Sequence, residues 1–273
     1  NNKRILLFLI EGRVIIIDEY IVSRITSYEF DRKNYREYFL PEIKPFLTKE
    51  FIQKYRNKTT NLQEDEFLDK LNKEISEEFY DKRKEGESDS YLCELIRNNQ
   101  VKEFGVYVNR NNISLESYII KSIFETNQFL IDNESINLIE YASFYGSNDI
   151  IRYMHFNGEV ELTSSMWIYA IHSCNSELIK YLEDNHVSPP ENKYGKILKE
   201  SIKCHHNDVS KYIIEYLMKE EDLQKDIENN YYDNLYRYAV ESFNYCFFPT
   251  DMKYKNMFII YVNLIITHLQ HFI

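Results

Sequence analysis

Glycine, proline, alanine and cysteine are all scarce in this chain, and each scarcity excludes something. Six glycines and five prolines in 273 residues fall far below the usual ~7% and ~5%. The residues that sharp β-turns and sandwiches depend on are therefore missing. The closest glycines, Gly146 and Gly158, stand twelve residues apart, which rules out a local G-x-G-x-x-G, a phosphate loop and a G-x-S-x-G elbow. Neither H-E-x-x-H nor C-x-x-C occurs. Nucleotide-driven and hydrolytic chemistry lose their strongest signals, so no enzyme activity, no catalytic residue and no cofactor is expected. Four widely spaced cysteines cannot make the disulfide framework of a small secreted domain, and a reducing, cytoplasmic location is expected.

Long apolar runs are lacking too. Lys3-Arg4 followed by Ile5 to Ile10 imitates a signal peptide, but the run stops at Glu11-Gly12-Arg13 without a small-residue cleavage site. Residues 257–273 are apolar but carry Asn263, Thr267, His268, Gln270 and His271. A spanning helix wants about 20 clean residues, so an amphipathic packing helix or an exposed chain end is expected there and no membrane association. Positive charge is also in deficit, with 33 Lys and Arg against 44 Asp and Glu, a net charge of −11. No footprint for nucleic acid follows from that balance, whereas a basic protein partner would be steered well.

What the chain does have is a hydrophobic content of 44%, enough for a core. The run Val14 to Ile17 is β-branched and locally suits a strand, but the pattern continues helically through Tyr20, Ile21, Arg24, Ile25 and Tyr28, so it and Ile5 to Ile10 both read as helices. Pro41 and Pro45 break the chain before a short helix, Lys49 to Tyr55, with Thr48 as its N-cap. Asn61 and Glu64 have the form of a capping box, and Phe67, Leu68, Leu71, Ile75 and Phe79 follow on one face, predicting a helix of about five turns. Residues 61–90 hold eleven acidic and five basic side chains, a net −6, in keeping with a solvated helix face. A polar linker, Glu85 to Ser90, closes a helical region 1–90, either a separate domain or the cap of a helical stack.

From residue 91 a repeat takes over. The chain has three alanines, each directly after a tyrosine: Tyr141-Ala142, Tyr169-Ala170 and Tyr238-Ala239. In register, small residues recur at Cys93, Ala142, Ala170 and Ser201. Seven positions on come Gln100, Asp149, Glu177 and Asp208, and after these the aromatics Phe104, Tyr153, Tyr181 and Tyr212. Each copy reads as a first helix with a small residue at its closest contact, a polar turn, and a second helix whose leading acid suits the positive helix end. One such pair cannot bury its apolar face alone, so copies must stack.

This pattern resembles the ankyrin repeat, whose helix pair reads A-A-x-x-G-[HN]-x-[DE]-[IV]-V-x-x-L. Ala142, Gly146, Asp149, Ile150 and Ile151 fit that frame, Gly158 falls at its closing glycine, and His206 stands at its turn histidine. The segments EYASFYGS, LTSSMWIYAIH and LKESIKCHHNDVSKYI are similar to a divergent ankyrin-type domain of unknown function found in expanded protozoan ankyrin-repeat proteins. The resemblance implies an all-α, helical-hairpin repeat solenoid over 91–245, with a degenerate C-terminal helical segment at 246–273. The T-P-L-H opening is absent, and repeat spacings of 28, 31 and 38 depart from about 33. Too few residues follow Gly158 for a projecting hairpin, so short or missing β-fingers are expected. Residues 105–137 read as an insertion, with a helix capped by Ser114 and running through Ile119, Ile120 and Ile123.

The resulting expectation is a non-enzymatic protein–protein interaction scaffold. Tyr145, Ser173 and Cys204, three positions after the small residue, should recur at one edge of the stack and are the candidate protein-binding positions. The alternative is a metal-binding regulatory domain using Cys174, Cys204 and His205, drawn from a cluster that also contains His172 and His206. Soft and imidazole ligands suit Zn2+, but equivalent positions on stacked helices lie about 8–10 Å apart, so no metal ligand is assigned. Trp167 is expected in the core. Lys196, Lys199 and Lys203 are expected on a solvated face.

Overall fold

The computed structural model describes residues 2–27, 34–48, 50–51, 75–157, 160–218 and 231–248. Among these residues the chain is mostly helical, with no β-strand. The contacts divide it into two compact units, Asn1–Leu95 with Tyr118–Ile136, and Ile96–Ser117 with Asn137–Ile273.

The first unit contains α1 (Lys3–Glu11), α2 (Glu19–Ile25), the single turns α3 (Tyr35–Tyr38) and α4 (Leu40–Ile43), α5 (Glu77–Glu85), most of α6 (Tyr91–Arg97), and α8 (Gln128–Asp132). Val22, Ile25, Tyr35, Tyr38, Phe39 and Ile43 form its core. The run Val14 to Ile17 is not helical: α1 ends at Gly12, Arg13 takes a left-handed φ of +55°, and the Asp18 side chain accepts from Ile21 N to start α2 afresh. Pro41 and Pro45 do not break the chain but occupy the first turns of α4 and of a 3-10 turn, Lys44–Phe46, where a missing N–H costs nothing. Thr48 does accept from Phe51 N; the rest of that helix and the Asn61 capping box lie outside the described residues. The expected helix through Phe79 is not continuous: residues 75–76 are non-helical and Ser76 caps α5 afresh, while 52–74 lie outside the described residues. Residues 85–90 are packed: Ser88 is buried, Gly86 O accepts from Thr126, and Asp89 accepts from Ser122.

Residues 114–123 are not a helix either. Their periodicity is real, but long-range partners take the backbone groups. Ile119 N donates to Ile136 O, and the Lys3 ammonium donates to the carbonyls of Ile123 (2.9 Å) and Glu125 (3.1 Å). A carbonyl so engaged no longer supports a local ladder. Lys3 itself is wholly buried over the rings of Tyr35 and Tyr38, and burial pulls its pKa down to about 8 against the charges of Glu125 and Glu37.

The second unit contains α7 (Val101–Arg110), α9 (Leu138–Tyr145), α10 (Asn148–Asn157), α11 (Met166–Ser173), α12 (Ser176–Asp184), α13 (Gly195–Lys203), α14 (Asn207–Tyr212), a π-helical segment Ile213–Leu217, and α15 (Tyr231–Glu241). The first helices pack in order, α9 on α11, α11 on α13 and α13 on α15, while α7 packs on α10. The small residues Ala142, Ala170, Ser201 and Ala239 are all fully buried, which lets neighbouring backbones approach. In three copies the small residue's carbonyl accepts from the N–H five residues on: Ser147 to Ala142, His206 to Ser201 and Asn244 to Ala239. The connections 160–165 and 185–194 carry no strand.

Gly146 ends α9 with φ +66°. A Cβ there would lie 2.8 Å from Asn175 Nδ2, whose amide donates to Gly146 O. Gly146→Ala should therefore cost about 1–2 kcal/mol, read by urea unfolding. Gly195→Ala is the control, since a Cβ at that helix start meets nothing within 4 Å; it should be neutral or slightly stabilising.

Candidate functional site

The three expected contact positions fall where the register puts them. Tyr145 and Ser173 are the last residues of α9 and α11, and Cys204 caps α13. All three are half-buried. Tyr145 packs against Tyr141 and Phe144, with ring centroids 4.9 and 5.0 Å away. The Ser173 hydroxyl donates back to Ala170 O at 2.8 Å.

Beside these positions the structure joins side chains of successive first helices; of these the sequence cluster had included His172 but neither Phe144 nor Glu200. Phe144 on α9 faces His172 on α11, ring centroids 5.4 Å apart and 31° between planes. His172 Nε2 in turn meets Glu200 Oε1 on α13 at 2.8 Å. These residues are spaced by 28 and again by 28, a periodicity that could have revealed them. Cys204, one turn beyond Glu200, brings its Sγ to 3.5 Å from His172 Nδ1 and 4.0 Å from Nε2. Lys203 binds Glu200 at 3.0 Å.

Burial alone would raise the Glu200 pKa, but hydrogen bonds from His172 and Lys203 win, and the carboxyl is held below its ordinary value. Burial, reinforced by Glu200, pushes the Cys204 thiol up to about 11. His206 serves the turn: its N–H donates to Ser201 O, its ring bonds the backbone of His172, and burial lowers its pKa. This is the structural part assigned to it from sequence.

The ligand trio Cys174, Cys204 and His205 is not what the structure gathers. Cys174 is exposed with φ +50°, at the end of α11. His205, at φ +59°, directs Nε2 to Ser242 O at 2.9 Å. The atoms that do converge, all within 4.8 Å of one another, belong to His172, Glu200 and Cys204.

A second missed feature is a set of asparagines along the turns. Asn99 donates to Asp149, Asn148 to Glu177, Asn175 to Asn148 and Gly146 O, and Asn244 to Asn207 and Ile202 O. The leading acids Asp149, Glu177 and Asp208 remain exposed. On the opposite tier the recurrent aromatics work in pairs: Phe104 meets Tyr153 edge-on, Tyr181 bonds His155, and Tyr212 donates to Glu183. The lysines of α13 are each occupied, Lys196 by Glu191, Lys199 by the Tyr238 ring and Lys203 by Glu200, as a solvated face requires. Comparison of the chain with protein-family models, with curated proteins and with solved structures found no match.

Proposed function

We propose that the protein is a non-enzymatic interaction scaffold whose stacked helix pairs form an ankyrin-like solenoid and bind another protein non-covalently. The observation that supports this reading is the ordered packing of α9, α11, α13 and α15, which repeats one edge of each first helix along the stack. Without strands in the connections at 160–165 and 185–194, contact falls to the helices and the turns rather than to fingers. The exposed acids Asp149, Glu177 and Asp208 and the net charge of −11 favour a basic partner over nucleic acid. No helix among the described residues is long and apolar enough to cross a membrane. Cys93, Cys174, Cys204 and Cys246 are in no disulfide, in keeping with a reducing cytoplasm.

The full chain, captured from native extract in the presence of a chelator, is expected to retain a stoichiometric protein. The Tyr145→Ala/Ser173→Ala/Cys204→Ser variant should retain it at least about tenfold more weakly, with thermal unfolding little changed. Equal retention by a folded variant would remove these positions from the interface.

A further inference from the structure

We propose that His172, Glu200 and Cys204 form a transition-metal site, with Zn2+ the ion its donors select. The proposal is independent of any protein partner. Glu200 and Cys204 lie four residues apart at the end of α13, so they project from one helix face. His172 comes from the next helix, α11. One nitrogen, one oxygen and one sulfur donor, all within 4.8 Å of one another, make the mixed set that suits a borderline-soft dication.

The spacing is close to what coordination needs. Bonds of about 2.0–2.3 Å in a tetrahedral centre put neighbouring donor atoms roughly 3.3–3.7 Å apart. His172 and Glu200 stand at 2.8 Å, and Cys204 Sγ lies 3.5 and 4.0 Å from the two ring nitrogens. A small separation of His172 from Glu200, with rotation of the ring, opens room for the ion, and a water takes the fourth position. The distance of about 8–10 Å between equivalent positions on stacked helices is no obstacle, because His172 and Cys204 are not equivalent in the repeat. Those roughly 8–10 Å separate helix axes, and the side chains of His172 and Cys204, one register position apart, reach across to bring Nδ1 and Sγ to 3.5 Å.

The surroundings orient the donors as outer-shell groups do. Phe144 packs on the His172 ring, His206 bonds the His172 backbone, and Lys203 holds Glu200. Binding replaces the Cys204 S–H bond with a metal–sulfur bond and releases the proton to solvent.

Metal-stripped full chain, kept reduced, should bind one equivalent of Co2+ and develop the intense thiolate-to-cobalt absorption of a sulfur-ligated tetrahedral ion, which Zn2+ then quenches. Cys204→Ser should abolish that band. Removing a ligand should weaken Zn2+ binding by more than about a hundredfold, since loss of an outer-shell partner alone costs 10–100-fold. Glu200→Gln and His172→Gln should weaken it in the same way, and circular dichroism establishes that each variant is folded. Co2+ bound without the thiolate band, Zn2+ affinity unchanged in folded Cys204→Ser, or no stoichiometric binding to the wild type would each overturn the site.

Discussion

Trp167→Ala should destabilise the second unit by about 3–5 kcal/mol, the range for emptying a large aromatic from a packed core. Trp167 is wholly buried, meets Tyr194 edge-on with centroids 5.8 Å apart, and donates from Nε1 to Val187 O at 2.8 Å. Its side chain therefore does two jobs, filling α11's inner face and tying down the connection between α12 and α13. Trp167→Phe separates them. It keeps an aromatic ring but leaves the Val187 carbonyl without its donor, a loss of about 1–3 kcal/mol. Urea unfolding followed by circular dichroism measures both. A Trp167→Ala midpoint within about half a kcal/mol of wild type, the range of ordinary surface substitutions, would contradict the packing. In the wild type the same residue, the only tryptophan, reports unfolding of this unit through its own emission.

The comparable weak point of the first unit is a buried ion pair. Arg83, only 6% exposed, places Nη1 at 2.9 Å from both oxygens of Glu42 and at 3.3 Å from Tyr38 O. Its guanidinium also lies within 5.8 Å of the ring centroids of Tyr38, Phe79 and Tyr80. Arg83→Leu strands the Glu42 charge and should cost about 3–5 kcal/mol at neutral pH. The double variant Arg83→Leu/Glu42→Leu should recover most of that loss, because a well-packed apolar pair often matches a buried ion pair.

The pH dependence has a definite sign. Burial already raises the Glu42 carboxyl above its ordinary value, with Arg83 opposing; without Arg83 the folded-state value rises further. A group with a folded pKa above its unfolded one contributes stability below the unfolded pKa and loses it as pH rises through the folded pKa. The Arg83→Leu deficit relative to wild type should therefore shrink as pH falls from 7 toward 4.5, the unperturbed carboxyl value. A deficit that grows toward acid would mean that Glu42 is not the stranded group.

Much of the second unit was legible in the residues themselves. Three alanines in 273 positions, each after a tyrosine, mark where backbones come closest, and those positions are buried because no larger side chain fits there. The acids that lead the second helices, the polar turns and the burial of Trp167 follow from the same register. The first unit was less legible. Val14 to Ile17 is an unbroken β-branched run and Ser114 to Ile123 has helical spacing, yet neither is helical, because apolar content does not state which partner will take the backbone groups.

The candidate metal cluster divides in the same way. Sequence named Cys204, which does converge, but joined it with Cys174 and His205, two residues from His172 and one from Cys204. Offsets of one and two residues on a helix turn a side chain by about 100° and 200°, so only the packing of α11 on α13 decided that His172 faces Glu200 and Cys204. The residues themselves specify that the described part of the chain is mostly helical and which positions are small, since these are local preferences and volumes. Tertiary structure decided where helices stop or fail to form, because Lys3 and Thr126 capture carbonyls a longer helix would use. It also decided which side chains meet, because contacts between residues about 28 apart depend on the rotation of one helix against the next.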